Sequence, residues 1–395
     1  MTRQGRPDLA TILRTHGAAY LAAHPALNRP QMKAWRAILA CRTAALGGHL
    51  AQCDACGIQR HMYHSCRNRH CPQCQARAKE AWIAARSREL LPVPYFHLVF
   101  TVPHALNGLA AQVPRRVYEA LFEAVSATLL TFAADPRHLG GVPAFTLVLH
   151  TWTQQLERHP HVHALVAGGA LTSADNWVSP RRGFLFPIKA LSRVFRGKLE
   201  AALTAQRANG DFGSHPVSGE AGWRALLAAL YRHDWAVYAK QPLGGPAQVL
   251  DYLARYTHKT AISNDRLRGL RDGQVLFRVR DPNHPKAGGL ASLPAAVFIE
   301  RFLSHVLPTG FKRIRHYGLL ASRHKAKKLA TCRTLLDQPV PVPVVVESVA
   351  DFMRRVAGVE ISRCTTCDHG RMRVIAALPS VRAPATIRQA TGPPG

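Results

Sequence analysis

Two short runs carry residue types that can do chemistry: His161 and His163 in HPHVHALVAGG, and Tyr252 and Tyr256 in DYLARYTHK. On a strand, side chains alternate, so the two imidazoles share one face and Val162 takes the other. On a helix, residues four apart share a face, which puts the two phenols together. Paired imidazoles can hold Mg2+ or Mn2+ and leave positions open for phosphate oxygens. A phenol, with a pKa of about 10, is a poor nucleophile at neutral pH. A metal-polarised phosphodiester and nearby cations ease its attack, and Arg255, His258 and Lys259 follow the tyrosines closely. The combination points to cutting and rejoining DNA through a covalent phosphotyrosine. Such a metal wants a further ligand, and His150, Gln154, Gln155 and His159 are all candidates.

These residues need elements to position them. AFTLVLHTW and HVHALVAGG read as two strands separated by the polar TQQLERHP, which is hairpin spacing with a longer loop. YFHLVFTVP, residues 95–103, reads as a buried strand, and residues 114–135 as a helix with a proline at its start. Residues 186–240 are mostly helical in pattern, and Gly244, Gly245 and Pro246 punctuate the chain before the tyrosine helix. QVLFRVRD (274–281) suggests another strand and LPAAVFIERFLSHVL (293–307) another helix. From about Ala376 the chain is proline-rich without periodicity, and disorder is expected. The expected division is a helical segment at 1–48, a zinc-binding DNA-contacting domain at 49–90, a catalytic domain at 91–330, and a C-terminal region at 331–395.

Cys53 and Cys56, fourteen intervening residues, then Cys71 and Cys74 give two knuckles whose four thiolates can close a tetrahedral structural zinc site. Cys66, His64 and His70 fall between the pairs; Cys66 or His70 can replace one ligand or support a second ion. So short a segment cannot fold on apolar burial, so the metal should supply its folding energy. CTTCDHG, residues 364–370, offers a further pair with no obvious partner except Cys332, and reads as a half-site.

Lys and Arg number 52 against 23 Asp and Glu, a net charge of +29 that is spread along the chain and suits a phosphate backbone. Arg67 and Arg69 (with Arg77 and Lys79) surround the second knuckle. In FKRIRHYGLLASRHKAKK, Lys312, Arg313, Arg315 and Arg323 lie around Tyr317, a pattern that suits single-strand binding by charge and stacking. Cysteines in CxxC pairs indicate a reducing cytoplasm. No uninterrupted apolar stretch is long enough to cross a membrane, so no membrane partner is expected.

SCRNRHCPQCQ, HPHVHALVAGG, YLARYTHKTAISN and FKRIRHYGLLASR, in that order, resemble the two-tyrosine HUH rolling-circle transposases of insertion sequences (the IS91 type) with an N-terminal zinc-binding domain. The resemblance covers about residues 20 to 325. It implies an α+β, ferredoxin-like HUH core whose central antiparallel sheet carries the histidines, with a helix bringing the tyrosines over it. It implies that His161 and His163 bind the catalytic metal and that Tyr252 and Tyr256 are the nucleophiles. Some relatives keep a single tyrosine, which matches Tyr256. The implied reaction is attack on single-stranded DNA at element ends, leaving a 5′-phosphotyrosine and a free 3′-OH that can prime replication, while the second tyrosine serves the next cleavage or strand transfer to target DNA. The C-terminal CxxC also fits the family, although Asp368 stands where a knuckle glycine is usual.

A plasmid replication initiator or relaxase would share this chemistry, but relaxases usually place the nucleophile near the N-terminus. A transposase with an acidic triad would need carboxylates, and the acids form no recognisable set. A non-catalytic zinc-dependent DNA-binding protein would explain the cysteines and charge, and would leave the HxH and the tyrosines without purpose.

Overall fold

A computed structural model describes residues 6–181, 184–243, 248–249, 260–280, 288–321, 323–339, 347–358 and 360–381. Tyr252, Tyr256, Arg255 and Lys259 lie outside the described residues.

The chain opens with α1 (Leu9–Ala23), whose N-cap Asp8 accepts from the Thr11 amide at 2.7 Å. α2 (Arg29–Ala40) begins with a reciprocal Asn28–Gln31 capping box and Pro30 in its first turn. A hairpin follows, β1 (Gly48–Cys53) and β2 (Gln59–Tyr63), and then α3 (Gln75–Ser87). Next come β3 (Tyr95–Thr101), α4 (Asn107–Gln112), α5 (Pro114–Ala134), β4 (Val142–Trp152), β5 (Arg158–Leu171) and β6 (Trp177–Val178). α6 (Ile188–Ala208), α7 (Glu220–Tyr231) and β7 (Val237–Leu243) precede a meander of β8 (Leu267–Arg271), β9 (Gln274–Val279) and β10 (Gly289–Pro294). The described elements end with α8 (Ala295–Leu303), β11 (Ile314–Gly318), α9 (Lys325–Leu335), α10 (Val349–Ala357) and β12 (Met372–Leu378).

The fold is α+β, as expected. Its centre is an antiparallel sheet in the order β11-β4-β5-β3-β7, with β6 added to the end of β5. Strand alternation gives the sheet two unlike faces. Phe96, Leu98 and Phe100 of β3, Phe145, Leu147 and Leu149 of β4, and Val162, Ala164 and Val166 of β5 are buried in one core with α5 and α6. The other face is divided along the strands. At one end Tyr95, Ala144, Leu165 and Ala167 form an apolar cluster with Leu91, Val249, Leu329 and Cys332, against which Trp82 of α3 packs. At the other end the same face carries His97, His150, His161 and His163.

α5 is long and apolar enough to cross a membrane by composition, yet most of its apolar residues are buried against the sheet. A further core joins α1, α2, α8, the meander and Leu156 of the β4–β5 turn.

Two strands depart from the sequence expectation. β7 closes the helical stretch and pairs with β3 at the sheet edge, with Val237 in the main core and Tyr238 57% exposed. β12 overlaps the stretch expected to be disordered and pairs with β1, completing a three-stranded sheet in the order β12-β1-β2. With Val374 and Ile375 exposed, its place is set by backbone pairing and not by an apolar face, so it has no periodic signature.

Candidate active site and metal centres

His161 lies directly opposite His150 across the β4–β5 pair, and His163 follows on the same face of β5. One ligand atom from each of the three imidazoles can be chosen so that all lie within 4.8 Å of one another. Ring centroids are 4.5 Å apart for His150 and His163, 5.0 Å for His161 and His163, and 5.5 Å for His150 and His161. The Nδ1 of His161 is 2.7 Å from its acceptor, the His159 carbonyl, so Nδ1 carries the proton and Nε2 keeps its lone pair. The Nδ1 of His163 is 2.9 Å from Nε2 of His97, a buried residue of β3 on the same face. That contact likewise directs Nε2 of His163 to a ligand. Three imidazoles, two of them with the second nitrogen engaged, fit a divalent ion, and His150 is the third member that the sequence left open.

Of the other candidates, His159 lies 5.3 Å from His161 between ring centroids but is not a member of that group of three. The Gln154 side-chain oxygen accepts from the Arg280 amide at 3.4 Å, and the Gln155 carbonyl accepts from Arg301. His159 packs edge-on against His104 with centroids 5.4 Å apart, and burial, aided by His104, holds its pKa below the usual histidine value. Stacked on His150 at 4.8 Å is Trp152, which buttresses the triad from the hairpin end.

The cysteines form two groups of four, not the single Cys53, Cys56, Cys71 and Cys74 site expected from spacing. An inner group holds Cys41, Cys66, Cys71 and Cys74; an outer group holds Cys53, Cys56, Cys364 and Cys367. Tetrahedral zinc with bonds of about 2.3 Å requires S···S edges of about 3.8 Å, whereas a disulfide requires about 2.0 Å. The inner Sγ atoms of Cys41 and Cys74 are 3.5 Å apart and those of Cys66 and Cys74 are 3.6 Å apart. In the outer group the spacings are 3.6 Å for Cys53 and Cys367 and 3.7 Å for Cys56 and Cys364. Both groups have the donor chemistry and dimensions of closed structural zinc sites.

Backbone pairing causes the split. The β1–β2 hairpin carries Cys53 and Cys56 out to its tip, and β12, which places Met372 beside Cys53, brings the C-terminal pair to them. The returning strand is bonded back to the end of α2 through Arg42 N and the His64 carbonyl at 3.0 Å, so Cys66 meets Cys41. Asp368 takes the left-handed conformation (φ 61°) that a glycine usually supplies, which aspartate tolerates. Gly370 is the residue that must lack a side chain, since a Cβ there would lie 2.3 Å from Cys53 Sγ. His70 is not a ligand; its Nε2 accepts from the Leu307 amide at 3.4 Å. His64 packs edge-on to His49, and Cys332 is buried apart from both groups, its thiol pushed up to about 11 by that burial.

Among the cations expected to contact DNA, Arg69 is half-buried and Arg313 is buried. Arg69 donates to the carbonyls of Phe311, Pro308 (3.0 Å) and Leu307 (3.5 Å), and burial lowers its pKa. Arg313 is 8% exposed, and burial, then the charge of Arg69, push its pKa down to about 10. Arg315 lies over the Phe122 ring at 4.3 Å. Arg67, Lys312 and Arg323 are exposed. Tyr317 is not an open stacking platform: it stacks on Phe145 at 5.4 Å and packs against the main core. Alternation along β11 sends Arg315 and Tyr317 to one face and His316 to the other. There His316 bonds Thr146 Oγ1 at 2.9 Å and lies 3.2 Å from Arg86 of α3.

Two family models match the chain: one described as "Putative transposase" over residues 144–328, and one as "Transposase zinc-binding domain" over residues 12–102. The chain is 43% identical over 392 residues to "Putative transposase y4qJ" of Sinorhizobium fredii, covering 97% of this chain and 98% of that one. It is 28% identical over 365 residues to "Transposase for insertion sequence element IS801" of Pseudomonas savastanoi pv. phaseolicola, covering 91% of this chain and 87% of that one. Among solved structures, a metal-bound conjugative relaxase TrwC in complex with OriT DNA aligns over 61% of this chain and 72% of its own, at 16% identity. Its TM-score of 0.23 is too low to bear on function. With a relative this similar along nearly its whole length, and with both domain models matched in order, the chain belongs to the IS91-type transposases of insertion sequences.

Proposed function

We propose that this transposase nicks and rejoins single-stranded DNA at insertion-sequence ends through a tyrosyl–phosphate linkage, with His150, His161 and His163 holding the catalytic metal. The observation that carries the reading is the convergence of those three imidazoles on the polar end of one sheet face. A bound divalent ion would supply charge to a scissile phosphate oxygen and so favour attack at phosphorus. Mn2+ suits three nitrogen donors better than Mg2+, which prefers oxygen ligands.

Tyr252 and Tyr256 are the nucleophiles in this reading. Val249, fully buried on the same sheet face, precedes Tyr252 by three residues. Thr260, buried beside Trp152, His305 and Arg313, follows Tyr256 by four. Val249 is anchored in the apolar cluster of that face and Thr260 beside Trp152, the residue stacked on His150, so the described residues flanking the tyrosines lie on the triad's side of the sheet. The phenolic oxygen forms a bond to phosphorus as the bond to the 3′ oxygen breaks. The phenol proton is lost and the departing 3′ oxygen gains one, giving a 5′-phosphotyrosine and a 3′-OH. Phosphodiester energy is kept in the link, so rejoining by a 3′-OH needs no nucleotide cofactor. Exposed Arg67, Lys312 and Arg323, together with Arg255 and Lys259, are the proposed phosphate contacts.

The test is a denaturation-resistant adduct between the protein and labelled single-stranded element-end DNA in Mn2+ or Mg2+. The adduct should vanish in the Tyr252→Phe/Tyr256→Phe double variant and in His161→Ala, with the single tyrosine variants ranking the nucleophiles. An adduct that survives the double variant would refute the assignment.

A further inference from the structure

The inner cysteine group is joined to the histidine triad by a continuous set of contacts. We propose that Arg69 and His70, on its knuckle, are positioning residues that fix His150 for metal binding. The inference rests on the triad holding a divalent ion, and it gives the inner group a role beyond folding a DNA-contacting module.

Between Cys66 and Cys71 the chain makes a tight loop: Asn68 Oδ1 accepts from the His70 amide at 2.9 Å, and Asn68 O accepts from Cys71 N at 3.0 Å. Arg69 and His70 project from this loop into the segment between α8 and β11. Arg69 gathers the carbonyls of Leu307, Pro308 and Phe311, and His70 takes the Leu307 amide. A guanidinium spreads its donors in a fixed fork, so three carbonyls on one fork hold the segment in one shape. That segment has no regular structure of its own, and contacts of this kind define its path.

The segment in turn brackets His150. At one end, the His305 ring bonds Thr151 Oγ1 at 3.2 Å and the Leu156 carbonyl at 2.9 Å. At the other, the Arg313 carbonyl accepts from the Leu149 amide at 2.9 Å. Both chain neighbours of His150 are therefore bonded to the segment that the knuckle grips. His161 and His163 sit on the adjacent strand, so movement of the segment changes the one ligand from β4 relative to the two from β5. A metal site tolerates little such displacement.

Among the described residues, the outer group's module makes its side-chain bonds within itself: Asp54 with Arg371 and Arg373, and Arg60 with Thr365. The two cysteine groups thus have different surroundings, the inner one embedded in the catalytic core and the outer one at the end of a small sheet.

The experiment titrates Mn2+ into the full-length, zinc-loaded protein, reading free Mn2+ by electron paramagnetic resonance and zinc content by atomic absorption. Arg69→Ala should weaken Mn2+ binding about tenfold at unchanged zinc content, with partial recovery in Arg69→Lys. Thr151→Val, which cuts the far end of the path, should also weaken it, and combining it with Arg69→Ala should cost less than the two effects multiplied. Removal of an arginine elsewhere, Arg224→Ala, should leave Mn2+ affinity at the parent value. Parent affinity in Arg69→Ala overturns the proposal. Should that variant not fold, parent affinity in Thr151→Val overturns it instead. A parent protein that binds Mn2+ but forms no tyrosyl adduct overturns the nuclease reading and leaves the positioning role to be decided by the affinities. A parent that binds no Mn2+ overturns both.

Discussion

Lowering the pH from 7 to 5 should destabilise this protein partly through His305, and the structure sets the size of the effect. His305 is 3% exposed; burial, opposed by its bond to Leu156 and aided by the charge of Arg158, holds its pKa at about 4. An unfolded histidine titrates at about 6.5. The folded state keeps the ring neutral over this range while the unfolded state takes up the proton. The associated stability is therefore fully present above pH 6.5 and is lost as pH falls toward 4. Linkage gives a loss of about 2 kcal/mol at pH 5 and about 3 kcal/mol at pH 4. His305→Gln retains an amide donor for the Leu156 carbonyl and an acceptor for Thr151 but cannot titrate. Urea unfolding of parent and variant at pH 7 and pH 5 isolates the contribution of this ring, because acid effects on the thiolates are common to both. The gap in favour of the parent should shrink by about 2 kcal/mol between the two pH values. A gap that does not change would refute the argument that this ring is kept neutral by burial.

Other expectations follow from single sites. The parent should carry two zinc ions per chain; Cys41→Ser and Cys364→Ser should each remove one, and a Cys364→Ser protein with parent zinc content would contradict the outer site. His97→Leu removes the bond that orients His163 and should weaken Mn2+ binding by about 10–100-fold in calorimetric titration. Parent affinity there would mean that the sheet alone aims that ring. Gly318 has φ 62°, and a Cβ on it would lie 1.8 Å from the Pro143 carbonyl oxygen. Gly318→Ala should cost about 3 kcal/mol or more, from left-handed strain plus forced separation of β11 from β4, read as a lowered urea midpoint.

The histidine strand was legible because alternation is a local property: HVHALV must send His161 and His163 one way and Val162 and Ala164 the other wherever the strand lies. The start of α5 was legible for the same reason, since the proline that opens it acts within a turn. β12 was not, because a strand with little buried apolar face lacks a period. The basic run around Tyr317 misled for a related reason. Its charges and its aromatic are visible in sequence, but Arg313 is buried and Tyr317 is half-buried against the core, and burial is decided by what packs on β11.

Sequence alone determined the residue types that can do chemistry, the faces they share within one element, and the family to which their order belongs. Tertiary structure decided which of them meet. Spacing put Cys53, Cys56, Cys71 and Cys74 in one site, whereas strand pairing across more than three hundred residues gives Cys53 and Cys56 to Cys364 and Cys367. It also chose His150 from four candidate ligands, because register across β4 and β5 sets it opposite His161. Metal sites are built from groups a few ångströms apart in space. Separation along the chain constrains that distance only within a turn or a strand, and beyond it the backbone pairing and packing of the whole fold take over.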